Sequence, residues 1–195
     1  NLPEGTLETG WRPPRGDGRR NRANVREAGR LLDAAGWRVT DGKREKAGEP
    51  MSFEILVAST SHETLANLWS RALERLGVRA QIRRVDDAQY QERRRSYDYD
   101  MTVARWWLSL SPGTEQWLYF GSEGREDPGT RNYMGVAEPA VDAMIRAILA
   151  AESRPGFEAA VRALDRVLSA GVYVIPFGTL PSDRVGARAE FAAPE

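Results

Sequence analysis

The sequence predicts an α/β fold, with a mixed sheet that has a parallel βαβ core flanked by helices, and three observations support this prediction. Residues 53–57 and 80–85 have the apolar patterns of strands. An amphipathic helical pattern over 60–76 lies between them, and a strand, a helix and a strand in that order form a right-handed parallel crossover. A third strand-like run, 101–106, ends in a loop rich in Ser, Pro and Gly, where α/β domains place ligands.

The overall composition limits the classes of protein to consider. The chain has 195 residues, of which 41% are hydrophobic, and this suffices for a folded core. Its 28 Lys and Arg residues balance 28 Asp and Glu residues, so no overall field attracts nucleic acid or anionic membranes. The absence of Cys excludes disulfides, thiolate zinc sites and thiol catalysis, but it leaves the redox compartment open. No apolar run approaches the ~20 residues that span a bilayer.

The chain divides into three segments. Residues 1–23 are rich in Gly, Pro and Arg without periodicity, which predicts a linker or an extended segment. Residues 24–177 carry the helix and strand patterns of one folded unit, whereas 178–195 lose periodicity and are expected to belong with a neighbouring domain. The opening at Asn1 is typical of a connection inside a protein, so we expect the chain to be a piece of a longer one.

Local signals predict the elements that precede the crossover. Asn24 is a candidate N-cap for a short helix whose apolar face continues to Gly36. The charged stretch 41–50 is predicted to be the tip of a hairpin between strands at 37–39 and 53–57.

The helix of the crossover has the clearest pattern. Residues 60–63 form a capping-box sequence, and the apolar residues that follow keep helical spacing as far as Gly77. These residues are Leu65, Leu68, Trp69, Ala72, Leu73 and Leu76, and we expect Trp69 in the core. After the next strand, Asp86 and Asp87 are expected to cap a second helix.

The remainder of the chain is predicted to be mostly helical. A short helix is expected over 115–120, and a turn-rich, exposed stretch over 121–133. Two amphipathic helices are expected to start at Pro139 and Pro155. The compact apolar run 172–176 is expected to be a strand.

Candidate catalytic groups do not form a recognisable set. His62 is the single His and has no Ser or Cys partner at a suitable spacing, so a structural role is expected. Asp86 and Asp87 read as caps, whereas Asp98 and Asp100 flank the start of a strand. We therefore expect a protein that is not an enzyme and that uses no metal or cofactor. A hydrolase acting on peptides or glycans is the alternative, and it would need carboxylates that converge on one bond.

A nucleic-acid-binding module is a second alternative. Arg83, Arg84 and 93–95 form basic clusters, and nearby tyrosines could stack on bases. Acidic residues are interleaved with these arginines and cancel most of the local charge. No nucleic-acid partner is therefore expected.

Adjacent tryptophans mark the end of the third predicted strand. Trp106 and Trp107 would point to opposite faces of that strand, so both cannot enter one core. One ring must face a cavity, a partner or solvent, and an indole there offers a large contact area at little entropic cost. This pattern predicts a ligand-binding wall at the loop that follows.

Several motifs, taken in order, carry a resemblance to a known family. They are the sequence Leu-Leu-Asp-Ala-Ala-Gly-Trp at 31–37, 86–90, Tyr-Asp-Tyr-Asp-Met at 97–101, Ser-Pro-Gly at 111–113, Arg-Asn-Tyr-Met-Gly at 131–135 and Pro-Ala-Val-Asp at 139–142. Over residues 24–180 the chain resembles the C-terminal half of the dipeptide/oligopeptide-binding proteins of ABC importers. The branch it resembles most serves oligopeptide and microcin C-type uptake, whose loop similarly runs through Ser-Leu-Ser-Pro-Gly.

The resemblance implies a fold, a function and partners. The fold is a periplasmic-binding-protein-like lobe of class II, and the N-terminal lobe that completes the cleft is missing from this chain. Such proteins close two lobes over a peptide-like ligand by hinge motion and deliver it to an ABC permease in the membrane. The implied location is periplasmic or extracytoplasmic, and the segment 172–195 would return toward the first lobe.

The resemblance also directs attention to candidate ligand-binding residues. In relatives, an Asp in the loop after the third strand grips the ligand's ammonium group, but residues 107–113 of this chain contain no Asp. Other groups are therefore expected to bind the ligand. The candidates are Arg105, Trp106, Trp107, Ser109, Ser111, Asn132 and Tyr133. The indoles would pack on the ligand, the hydroxyls and the amide would bond its backbone, and Arg105 would meet a carboxylate or phosphate.

Overall fold

The elements of the chain are those of a computed structural model, which describes residues 4–8, 22–105 and 111–177. The helices are α1 (Arg22–Ala34), α2 (Thr60–Glu74), α3 (Asp87–Arg95), α4 (Glu115–Phe120), α5 (Pro139–Leu149) and α6 (Arg154–Ala170). The strands are β1 (Arg38–Thr40), β2 (Lys43–Lys46), β3 (Glu49–Pro50), β4 (Ser52–Val57), β5 (Arg79–Arg84) and β6 (Met101–Thr102). A 3-10 helix, Ser122–Arg125, follows α4. In these described ranges, none of the helices is long and apolar enough to cross a bilayer.

A parallel sheet forms the centre of the fold. Its strand order is β5-β4-β6, and both neighbours run parallel to β4, which places Ile55 opposite Ile82 on one side and Met101 on the other. Helix α2 makes the crossover from β4 to β5, so the predicted βαβ core and the α/β fold class are confirmed. Within the described residues this sheet is purely parallel and not mixed as predicted, because the antiparallel strands form a separate sheet. Strand β6 is shorter than predicted, because regular pairing with β4 ends at Thr102.

The first of two apolar cores lies between this sheet and α2. We call it the sheet core. Its buried residues are Ile55, Val57, Ala66 and Ala80, and the partly buried side chains packed against them include Phe53, Trp69, Leu73, Met101 and Val103. The prediction that Trp69 is a core residue is therefore confirmed. Full burial of each large apolar side chain stabilises the fold by roughly 1.5–3 kcal/mol.

The second core, which we call the helical core, lies between α5 and α6. Its buried residues are Val136, Val141, Ile145, Ile148, Ala160, Leu164 and Val167, with Trp117 and Phe120 of α4 packed against them. Each helix has a proline in its first turn, as predicted, and Ser153 caps α6 by accepting a hydrogen bond from the N–H of Gly156. Helix α6 ends at Ala170, directly before Gly171.

A small antiparallel sheet of order β1-β2-β3 precedes the parallel one. The predicted pairing of 37–39 with 53–57 across a charged tip is wrong. The chain instead reverses twice within that tip, at Asp41-Gly42 and Ala47-Gly48, and all four of these residues have positive φ. Tight two-residue turns with positive φ match the twist of the strands they join, so the charged residues 43–46 become a strand.

Two predicted helix starts are displaced. Helix α1 begins at Arg22, so Asn24 lies within its first turn and is not the N-cap. Helix α2 is capped by Ser59, whose Oγ accepts a hydrogen bond of 3.2 Å from the N–H of His62, one residue earlier than the predicted box. The predicted end of the first helix near Gly36 is confirmed, with φ of +88° at that residue.

None of the residues of α1 is buried among the described residues, and Leu31 on its apolar face is 54% exposed. Two further predictions, one of exposure and one of a strand, are corrected. The stretch 121–133 contains a 3-10 helix and the buried residues Gly121, Gly124 and Asn132, so it is not uniformly exposed. Residues 173–177 form no strand, because none of the described strands pairs with them and an isolated strand cannot satisfy its backbone polar groups.

Two glycines provide a matched test of how the small sheet docks on α2. Gly77 (φ +78°) and Gly42 (φ +77°) share the same left-handed conformation. A Cβ at Gly77 would approach the backbone nitrogen of Arg44 to 2.9 Å, whereas a Cβ at Gly42 would meet nothing within 4 Å. We expect Gly77→Ala to lower the free energy of unfolding by at least ~1 kcal/mol more than Gly42→Ala, since both share the conformational cost and only one adds a clash. Equal losses in urea unfolding of the two variants would contradict this docking.

Candidate ligand-binding site

A cleft of about 550 Å³ opens between the sheet core and the helical core, at the end of β6. Residues 101–104 form one wall, together with side chains from β4, α2 and the approach to β6. The opposite wall is formed by Arg125, Tyr133, Met134 and Gly135, and the C-terminal residues Val172, Tyr173, Val174, Ile175 and Phe177 close one side. Its volume is within the range of ligand pockets, which is roughly 300–1,000 Å³.

Two tyrosines beside β6 join the cores across the floor of this cleft. The hydroxyl of Tyr97 donates to the carbonyl of Gly124 at 3.0 Å and lies 2.7 Å from Oγ1 of Thr130. The hydroxyl of Tyr99 donates to the carbonyl of Tyr133 at 2.9 Å. These bonds connect the sheet side of the molecule with the turns that lead into α5.

A stacked arginine completes this connection. The guanidinium carbon of Arg94 lies 4.0 Å from the ring centroid of Tyr133 and 5.2 Å from that of Tyr90. Cation–π contacts of this kind stabilise by roughly 0.5–2 kcal/mol, depending on how far the pair is desolvated. We call Arg94, Tyr97, Tyr99 and Tyr133 the tyrosine junction. Through Arg94, helix α3 supports the ring that lines the cleft.

Burial raises the pKa of one hydroxyl of the tyrosine junction. Desolvation raises the pKa of Tyr99 to about 12, above its ordinary value of 10. At neutral pH the hydroxyl is therefore a hydrogen-bond donor, as its bond to the carbonyl of Tyr133 requires. The junction is thus independent of pH across the physiological range at this position.

The carboxylates considered for catalysis have separate structural partners. Asp86 caps α3 by accepting a bond of 2.8 Å from the N–H of Gln89, as predicted. Asp98 accepts from Nε of Arg93 at 2.7 Å, and Oδ2 of Asp100 accepts from the N–H of Glu54 at 2.8 Å. These contacts hold the approach to β6 against β4.

The basic clusters are largely neutralised by acidic neighbours. Arg84 pairs with Glu63 at 3.0 Å, and Arg93 pairs with Glu54 at 2.8 Å as well as with Asp98. Arg83 lies 3.5 Å from the same Glu54 carboxylate group. Over the described part of the chain, no group of three His, Cys, Asp or Glu side chains is placed to hold a metal ion.

The sequence-predicted site residues fall into three groups. Tyr133 lines the cleft, so it is the predicted residue that the structure brings to the site directly. Arg105 and Ser111 are exposed on either side of 106–110. Trp106, Trp107 and Ser109 lie outside the described residues.

Asn132 has a different environment from the other candidates. It is fully buried, and its Nδ2 donates to the carbonyls of Gly121 and Val136 at 3.0 and 2.8 Å. Its Oδ1 accepts from the N–H of Val136 at 2.8 Å. The amide therefore fixes the turn that presents Tyr133, its neighbour in sequence.

Sequence reasoning did not select Tyr97, Tyr99 or Arg125 as site residues, although all three line the cleft. Both tyrosines stand in the motif at 97–101 that carries the family resemblance, but no periodicity marked their side chains as lining a cleft. Arg125 lies in a turn-rich stretch without periodicity, so its position could not be read from the pattern.

The α/β fold is the one found in the class II periplasmic binding proteins. The oligopeptide-binding protein AppA from Bacillus subtilis, solved in complex with a nonapeptide, matches with a TM-score of 0.68 at 22% identity. The match covers 83% of this chain and 32% of that chain. At this level of identity the likeness concerns the fold, and it confirms the predicted architecture.

The sequence assigns the family within this class. The family model for bacterial extracellular solute-binding proteins, family 5 Middle, matches residues 5–127. The chain belongs to this family, which confirms the predicted resemblance.

Curated relatives are considerably longer than this chain. A putative binding protein of Brucella melitensis is 47% identical over 180 residues, covering 91% of this chain and 29% of that protein. In Agrobacterium fabrum, the peptidoglycan-binding protein YepA is 46% identical over 146 residues, covering 74% of this chain and 24% of that protein. The probable peptide-binding protein YejA of the same organism is 38% identical over 178 residues, covering 90% and 29%. The chain thus spans less than a third of the length of these relatives.

The hydroxyl of Tyr97 can be tested by removing it alone. We expect Tyr97→Phe to lower the free energy of unfolding by about 1 kcal/mol, because the part-buried carbonyl of Gly124 loses one of its two donors and keeps Oγ1 of Thr130. Tyr173→Phe is the control, since the described residues offer its hydroxyl no hydrogen-bond partner while its ring also lines the cleft. The measurement is urea unfolding of both variants. A control that loses as much stability as Tyr97→Phe would contradict the role given to the Tyr97 hydroxyl.

Proposed function

We propose that this chain is the second ligand-binding lobe of the substrate-binding component of an ABC importer. The whole protein captures a peptide-like ligand between two lobes and delivers it to the membrane permease, in the periplasm or at the cell surface. The observation that carries this proposal is the aromatic cleft at the end of β6, in a chain that belongs to an extracellular solute-binding family. Ligands bind beyond the carboxyl ends of strands in open α/β sheets.

The lining of the cleft suits a ligand with both apolar and polar groups. Aromatic side chains of Trp69, Tyr97, Tyr99, Tyr133 and Tyr173 face it. Aromatic rings supply contact area at low entropic cost. The hydroxyls of Tyr97 and Tyr99 already have carbonyl partners, so these residues would contact the ligand mainly through their rings.

Trp106 and Trp107 come just after the residues of this wall in the sequence. Ala104 lines the cleft, and Arg105, the residue before 106, is exposed. We assign Trp106 and Trp107 to packing on the ligand, Ser109 and Ser111 to hydrogen bonds with its backbone, and Arg105 to an anionic group on it. Asn132 acts through Tyr133, whose turn it fixes.

The length of the relatives supports the proposed division of the protein. Residues 24–177 would form this lobe, with 1–23 as a linker and 178–195 as the return toward the N-terminal lobe. A chain that covers 29% of a relative leaves room for a complete second lobe. Hinge closure of two lobes would hide the ligand from water.

Peptide chemistry is common to the names of two relatives. YejA is described as a probable peptide-binding protein and YepA as a peptidoglycan-binding protein, and peptidoglycan contains short peptides. A peptide-containing ligand is therefore the substrate class that we propose. Capture without turnover is the expected activity, because Asp98 and Asp100 each hold a structural partner.

The function can be tested on the full-length protein isolated from its host. Native mass spectrometry should show a bound peptide-containing molecule, and titration calorimetry then gives its affinity. We expect Trp106→Ala or Trp107→Ala to weaken binding by more than ~1 kcal/mol, as for a buried aromatic anchor. Leu68→Ala is the control, since Leu68 is 59% exposed on α2.

Two results would contradict different parts of this proposal. Unchanged affinity in both tryptophan variants would remove the indoles from the proposed site but leave ligand capture intact. Turnover of the ligand that disappears on substitution of Asp98 or Asp100 would instead favour the hydrolase.

A further inference from the structure

Two charged side chains among the described residues line the cleft, and they differ in whether they already have a hydrogen-bond or ion-pair partner. They are Asp100 and Arg125. Oδ2 of Asp100 accepts the N–H of Glu54 at 2.8 Å, so this carboxylate has a structural role. Arg125 makes no ion pair with any residue in the described ranges, although Glu123, Glu126 and Asp127 lie near it in sequence and are exposed. Arg125 is therefore the one cation among the described residues that lines the cleft itself, whereas Arg105 is exposed beside it.

The backbone that carries Arg125 is held in place on the side of the 3-10 helix. The carbonyl of Gly124, the residue before it, accepts bonds from Tyr97 at 3.0 Å and from Oγ1 of Thr130 at 2.7 Å. At the start of the same 3-10 helix, the N–H of Ser122 donates to Oδ1 of Asp142 at 3.0 Å. Arg125 is thus presented by a fixed turn, and the tyrosine junction supplies one of the bonds that fix it.

The aliphatic part of Arg125 lies beside Gly135. Gly135 adopts φ of +63°, and a Cβ built there would lie 4.0 Å from Cγ of Arg125. The aliphatic part of the arginine therefore passes beside a residue without a side chain, on the same wall of the cleft as Tyr133. Long basic side chains commonly pack their stems on such surfaces and keep the charged head in water.

We propose that Arg125 is a specificity-determining residue that binds a carboxylate of the ligand. A guanidinium fits a carboxylate with two parallel hydrogen bonds, and such charge-assisted pairs are stronger than neutral ones. This inference rests on the proposed function, because it names the group that the captured peptide presents to the cleft. Aromatic walls would take the apolar part of the ligand, and Arg125 would select those ligands that carry an anionic group.

The test uses two peptide libraries and the full-length protein. One library contains tri- to pentapeptides of random sequence with free C-terminal carboxylates, and the other contains the same peptides with C-terminal amides. Peptides retained by the protein are identified by mass spectrometry. We expect the wild type to retain carboxylate-bearing peptides at least about tenfold over uncharged amides, and Arg125→Gln to lose this preference. Enrichment of Asp and Glu in the amide library would identify a side-chain carboxylate as the bound group.

The control and the contradicting outcomes separate this inference from the function on which it rests. Arg154→Gln removes a charge from an exposed arginine that pairs with Glu158 on α6, and it should retain the wild-type preference. An Arg125→Gln protein that binds peptides with the wild-type preference would overturn the inference and leave the proposed function intact. A wild-type protein that retains no peptide from either library would overturn the proposed function, and the inference with it.

Discussion

The cleft depends on the tyrosine junction, which joins two apolar cores that are otherwise built independently. The sheet core comes from β4, β5 and α2, and the helical core comes from α4, α5 and α6. The hydroxyls of Tyr97 and Tyr99 reach carbonyls on the helical side, and Arg94 stacks on Tyr133 from the sheet side. Each buried hydrogen bond contributes roughly 1 kcal/mol, so the contacts that shape the cleft are few and individually modest. Small changes at these residues should therefore alter the cleft more than the stability of either core.

The segment that carries these tyrosines is itself strongly constrained. Tyr97 has φ of +55°, a conformation that is costly for a residue with a side chain and persists only when its surroundings hold it. Asp98 and Asp100 supply that support through Arg93 and the N–H of Glu54. The carboxylates considered as catalytic candidates thus position aromatic rings. This explains how a strand with only two paired residues can still form a defined wall.

Patterns along the chain predicted what depends on local sequence and missed what depends on distant partners. The helical stripe that includes Trp69 and the parallel crossover were predictable because their periodicity is local. Strand β2 was missed because its four residues are charged or polar, and tight turns with positive φ decide its pairing. The family resemblance predicted Tyr133 as a site residue. It did not predict Tyr97, because its partner Gly124 lies 27 residues further along, and no periodicity marks a contact of that kind.

The central claim is that the tyrosine junction, rather than either core, determines the shape of the cleft. Hydrogen exchange measured by mass spectrometry on a variant that combines Tyr97→Phe with Tyr99→Phe tests it most directly. We expect faster exchange in 121–135 and 97–103, with wild-type protection retained in α2, α5 and α6, because local opening involves the weakest contacts first. Unchanged exchange in 121–135, or an equal loss of protection in all helices, would contradict this claim.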